Sequence, residues 1–82
     1  SYYIKQGDYV LVHAAAGGLG RLVVQAAKHL GASLVVGTTS SEEKAKIAKE
    51  AGCDEVIIYT KDDFVSKSKE ITKGRGYNVI YD

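Results

Sequence analysis

Four short apolar, largely β-branched runs recur along the chain: Tyr9 to His13, Leu34 to Thr38, Val56 to Tyr59 and Asn78 to Tyr81. They start about 22–25 residues apart, and each gap holds one helix-like segment. That alternation argues for βαβ units and a parallel sheet with helices on its faces. The near-continuous run Leu34-Val35-Val36 suits a strand covered on both sides. Because such crossovers are right-handed, the expected arrangement is the doubly wound one, in which strand 4 returns beside strand 1 on the side away from strand 2. The sequence therefore predicts a three-layer α/β fold of about four parallel strands, order 3-2-1-4, with helices on both faces.

The first helix shows Leu19, Leu22, Val23, Ala26, Ala27 and Leu30 at i, i+3, i+4, i+7, i+8 and i+11, and these are its expected buried face. Gly31 supplies the stop. A second helix is expected from Ser40 or Ser41 to Gly52, with Ser40 and Glu43 spaced as a capping box and Ala45, Ile47, Ala48 and Ala51 facing inward. A third is expected from Asp62 or Asp63 to about Lys73, burying Phe64, Val65 and Ile71, with Gly74 and Gly76 turning into the last strand.

Between the first strand and the first helix lies His13-Ala14-Ala15-Ala16-Gly17-Gly18-Leu19-Gly20. Strand, small-residue turn and helix in that order form the setting in which backbone can approach a dinucleotide pyrophosphate, since a helix N-terminus offers unpaired N–H groups and a favourable dipole. The fingerprint G-x-G-x-x-G reads here as Ala15-x-Gly17-x-x-Gly20, so the first turn differs slightly from the usual one. Gly17 is assigned to close phosphate approach and Gly20 to close helix–strand packing. The N–H groups of Gly18 and Leu19 are the expected phosphate donors. A tight turn without a ligand is the plainer alternative.

The end of the second strand bears on which dinucleotide is bound. Sites for NAD place an acid about 20 residues beyond the glycines, on the ribose 2′-OH. Here that stretch reads Gly37-Thr38-Thr39-Ser40-Ser41, with no acid, and Lys44 follows one helical turn later. Hydroxyls, helix N–H groups and a cation suit a 2′-phosphate, so Ser40, Ser41 and Lys44 point to NADPH. Glu42 and Glu43 weaken the local positive field. Tyr59, at the end of the third strand, is a candidate for stacking or hydroxyl contact with the adenosine. Ser40 as a simple cap, Lys44 as a solvated side chain and Tyr59 as an edge residue are the plainer readings.

The rest of the composition narrows the class. Net charge is +1, which gives no reason to expect nucleic acid or an anionic membrane as partner. The single cysteine, Cys53, excludes an internal disulfide and fits a reducing compartment, so a cytoplasmic location is expected. No apolar run reaches the length of a membrane span. His13, His29 and Cys53 lack metal-ligand spacing, so no metal site and no catalytic residue is assigned. Arg21 and the Lys67 to Lys73 cluster read as solvated. The chain lacks Met and stops just after an apolar run, which suggests an excerpt: residues 1–82 are expected to be part of a nucleotide-binding domain from a larger, two-domain enzyme.

The run Gly7 to Gly20, then Gln25-Ala26-Ala27-Lys28, Leu30-Gly31-Ala32, Glu43-Lys44-Ala45-Lys46 and Ala51-Gly52-Cys53-Asp54 resemble the quinone oxidoreductases, the zeta-crystallin-like branch of the zinc-independent medium-chain dehydrogenases/reductases. The ending Gly76 to Asp82 is similar too, so the resemblance covers essentially the whole chain. Leu19 stands where valine is usual, and Tyr3 where proline is frequent. The resemblance implies a homodimeric, NADPH-dependent enzyme that passes hydride directly to quinones or α,β-unsaturated carbonyls, without flavin or catalytic zinc. It also implies NADPH contacts at Ser40, Ser41, Lys44 and Tyr59. The 82 residues alone are expected to be inert, because the substrate domain lies outside them. Other readings remain open at this level: an enoyl reductase module, a non-catalytic crystallin-like or RNA-binding protein, or a half-domain scaffold.

Overall fold

A computed structural model describes residues 3–82. The elements run β1 (Tyr9–Val12), α1 (Gly18–His29), β2 (Leu34–Thr39), α2 (Glu42–Ala51), β3 (Glu55–Ile58), α3 (Phe64–Thr72) and β4 (Val79–Tyr81). All strand pairings are parallel and the sheet order is β3-β2-β1-β4, as the spacing of the apolar runs predicts. Val12 lies opposite Gly37 and Tyr81, and Thr39 lies opposite Ile58, so the carboxyl ends of the strands share one edge.

Alternation along the strands gives the sheet two different faces. On one, Val10, Val12 and Val35 pack with Ala15, Val24, Ala27, Ala48 and Cys53 beneath α1 and α2. On the other, Leu11, Val36 and Ile57 pack with Phe64, Ile71 and Tyr77 at α3. Ile80, in register with Leu11 and so on this second face, is half exposed.

The helix α1 buries a different stripe from the one its leucines suggest. Leu19, Leu22 and Leu30 are 64%, 62% and 50% exposed, and Ala26 is exposed too. Burial falls on Gly20, Val24 and Ala27, with Val23 partly covered. The reason is close approach: a Cβ at Gly20 would lie 2.2 Å from the Ala14 carbonyl oxygen, so α1 meets the β1 end through its smallest residue. Bulky leucines cannot occupy that seam.

Corrections of the same kind apply to the other helices. The α2 cap is Ser41, whose Oγ accepts from the Lys44 N–H at 3.2 Å; with Lys44 three residues beyond the cap, the Ser40–Glu43 box does not form. Ala48 is buried and Ala45 and Ala51 are half-buried, but Ile47 is 38% exposed. Asp63 caps α3 by accepting from the Ser66 N–H, and in that helix Val65 is exposed while Thr72 is buried. Asp54 ties the α1–α2 face together, its carboxylate accepting from the Val35 N–H at 2.7 Å and from Lys28 Nζ at 2.9 Å. Among the described residues no helix is long and apolar enough to cross a membrane.

Candidate functional site

At the carboxyl ends of β1 and β2 a cleft of about 630 Å³ opens between the two following loops. The β1–α1 loop forms one wall. Ala14 has φ 54°, the left-handed region that a Cβ disfavours, and its carbonyl accepts from the Gly17 N–H at 3.0 Å. Gly17 is the N-cap of α1 and has no side chain to close the helix. The helical ladder begins with the Arg21 N–H on the Gly17 carbonyl at 2.9 Å. The N–H groups of Gly18, Leu19 and Gly20 therefore precede the ladder, at the positive end of a 12-residue helix with no acid in its first turn.

The β2–α2 loop forms the facing wall. Ser40 is half-buried, and its carbonyl accepts from Thr60 Oγ1 at 2.8 Å, which ties the loop to the end of β3. Lys44 is exposed and takes part in none of the ion pairs among the described residues. Glu42, by contrast, pairs with Lys61, and this hydrogen bond is the main cause that pushes the Lys61 ammonium above its ordinary range. One of the two acids that follow Ser41 is thus partnered away from Lys44. Tyr59, 57% exposed, closes the β3 side together with Ile47.

Of the residues singled out in the sequence, Gly17, Ser40, Lys44 and Tyr59 line this one cleft. Gly18 and Leu19 stand exposed on the first turn of α1, next to Gly17 but outside the cleft lining; Gly20 is buried under the loop; Ser41 is spent on capping α2. The structure adds His13, Thr38, Thr39, Ile47 and Phe64 to the lining. His13 and Thr38 are placed by register, since Val12 pairs with Gly37 and brings the next residues of both strands together. Phe64 enters from the start of α3, 6.1 Å from the His13 ring, and no sequence signal marks it. Cys53 lies away from the cleft under α1 and α2, where burial pushes its thiol up to about 11, with Asp54 adding in the same direction.

Residues 18–82 match the family model described as zinc-binding dehydrogenase. Over all 82 residues the chain is 51% identical to a 2-haloacrylate reductase of a Burkholderia species and 46% identical to quinone oxidoreductase 1 of Escherichia coli K12. It spans about a quarter of the length of these relatives, 24% and 25%. The crystal structure of Escherichia coli quinone oxidoreductase complexed with NADPH superposes on it with a TM-score of 0.91 at 46% identity, covering 99% of this chain and 24% of that one.

Proposed function

This chain belongs to the zinc-binding dehydrogenase family, and from that membership we propose that it is the NADPH-binding portion of an oxidoreductase acting on quinones or related α,β-unsaturated carbonyls. The observation that carries the reading is the convergence of Gly17, Ser40, Lys44 and Tyr59 on one cleft beside the open start of α1. The donor set fits the cofactor. A helix start whose Gly20 leaves no room for a Cβ lies close against the β1 end, and its free N–H groups suit a pyrophosphate.

In this reading Gly17 admits the diphosphate, and the Gly18 and Leu19 N–H groups donate to it. Ser40 and Lys44 hold the 2′-phosphate; Ser41, by capping α2, keeps that helix's N-terminus turned toward the same group. Tyr59 and Ile47 flank the adenosine. The cofactor, once bound, supplies hydride to the substrate carbon. The chain orients its adenosine and phosphate end, and the substrate pocket belongs to polypeptide beyond these 82 residues. The whole enzyme is proposed to be a cytoplasmic homodimer, and this portion alone to be inert. Membership of the 2-haloacrylate reductase and quinone oxidoreductase 1 among its relatives supports an electron-poor alkene or quinone as acceptor.

Calorimetric titration tests the assignment. The chain is expected to bind NADPH more tightly than NADH, and Lys44→Ala to weaken NADPH roughly tenfold while leaving NADH unchanged, since a hydrogen bond to a charged group contributes about 1.5 kcal/mol. Equal binding of both cofactors, insensitive to Lys44, would remove the 2′-phosphate assignment.

A further inference from the structure

Thr38 directs all of its described side-chain bonds, and its carbonyl, to the loop beside it. It is 3% exposed, in β2. Its Oγ1 accepts from the Ala14 N–H at 3.3 Å and lies 3.0 Å from His13 Nδ1. Its carbonyl accepts from the Ala15 N–H at 3.1 Å. Three consecutive residues of the β1–α1 loop are thus anchored on one residue of the neighbouring strand. The middle one, Ala14, is the loop's left-handed residue. From it the geometry continues to the helix: the Ala14 carbonyl takes the Gly17 N–H and abuts Gly20.

We propose that Thr38 is the positioning residue of the phosphate loop, its hydroxyl holding Ala14 in the left-handed conformation that aims the start of α1 into the cleft. The proposal rests on the cofactor reading above and extends it to a residue in a different strand. An alanine adopts φ near +54° against the crowding of its Cβ, so something must hold it there. The bond from Thr38 Oγ1 to the Ala14 N–H acts at that residue itself. A buried threonine serving only the sheet would pack equally well as valine, which keeps its shape and β-branching but lacks the hydroxyl.

The experiment compares the wild-type chain with Thr38→Val, Thr38→Ala and Thr38→Ser. Two readouts are used: amide hydrogen exchange at Ala14 and Gly17 without ligand, and affinity for NADPH against adenosine 2′-monophosphate, which lacks the pyrophosphate. Thr38→Val and Thr38→Ala are expected to speed exchange at both amides and to weaken NADPH about tenfold, with adenosine 2′-monophosphate changed less than twofold. Thr38→Ser is expected to restore both readouts. Thr38→Ala adds no bulk, so a steric fault confined to the valine variant shows as disagreement between the two. Unchanged exchange at Ala14, or equal losses for both ligands, would overturn the proposal. If the wild-type chain bound no NADPH, the cofactor reading would fail, while exchange would still decide whether Thr38 holds the loop.

Discussion

Between β1 and α1 the chain runs backbone against backbone: the Ala14 carbonyl fills the space a Cβ at Gly20 would need, and the free groups offered to the cleft are N–H donors. Between β2 and α2 the cleft is lined by two residues with polar side chains, Ser40 and Lys44, while the Ser41 hydroxyl caps α2. The first loop leaves no room for a side chain at Gly20 and is anchored on Thr38, so a change in it disturbs the fold. The second is set by side-chain chemistry, and its residues can change with the fold intact. In the proposed reading, a dinucleotide gripped at two different phosphates would be met by one wall bound to the architecture and one open to tuning.

The sharpest way to break this contrast is to place a methyl group in the first wall. Gly20→Ala puts a Cβ against the Ala14 carbonyl, and because the obstacle is backbone the loop must move. A loss of about 3 kcal/mol in urea unfolding is expected, at the upper end of ordinary overpacking. A cost near zero would show that the loop yields freely.

A second expectation concerns the floor of that wall, where a Cβ on Gly37 would meet both Ala15 and the Cys53 sulfur. With the Cys53 thiol at about 11 in the folded chain, against an ordinary 9.0, the unfolded chain releases its proton first as pH rises. Folding stability should therefore fall as pH rises from 9 toward 11. Cys53→Ala should flatten that slope relative to wild type, measured by denaturant titration at successive pH values. An unchanged slope would put the thiol outside the core.

For the second wall, Ser41→Ala removes the α2 cap and should cost about 1 kcal/mol, seen as a lower unfolding midpoint with the first loop undisturbed. Smallest of all is Leu22→Ala. That side chain is 62% exposed, so a change within about 0.5 kcal/mol is expected; a loss typical of a core leucine would mean α1 packs through its leucine stripe after all.

The sheet order and the two loops were legible because they depend on features a linear pattern preserves: the spacing of apolar runs, the glycines and the missing acid after β2. The α1 face was not. Two apolar stripes overlap on that helix and share Ala27, which is buried as expected; bulk favours Leu19, Leu22 and Leu30 whereas close approach selects Gly20 and Val24. Only the position of Ala14 decides between them. The choice of Ser41 over Ser40 as cap likewise depends on where the chain leaves β2, and the anchoring by Thr38 on the register of β1 with β2. Those are distances between segments, which a one-dimensional pattern does not hold.

The two-wall account is tested most directly by an amide-resolved NMR titration of the chain with NADPH and, separately, NADH. It predicts that NADPH shifts the amides of Gly17, Gly18 and Leu19 together with those of Ser40, Ser41 and Lys44. NADH should shift the first group and leave the second nearly still. Perturbation of neither loop, or the same pattern from both cofactors, would contradict it.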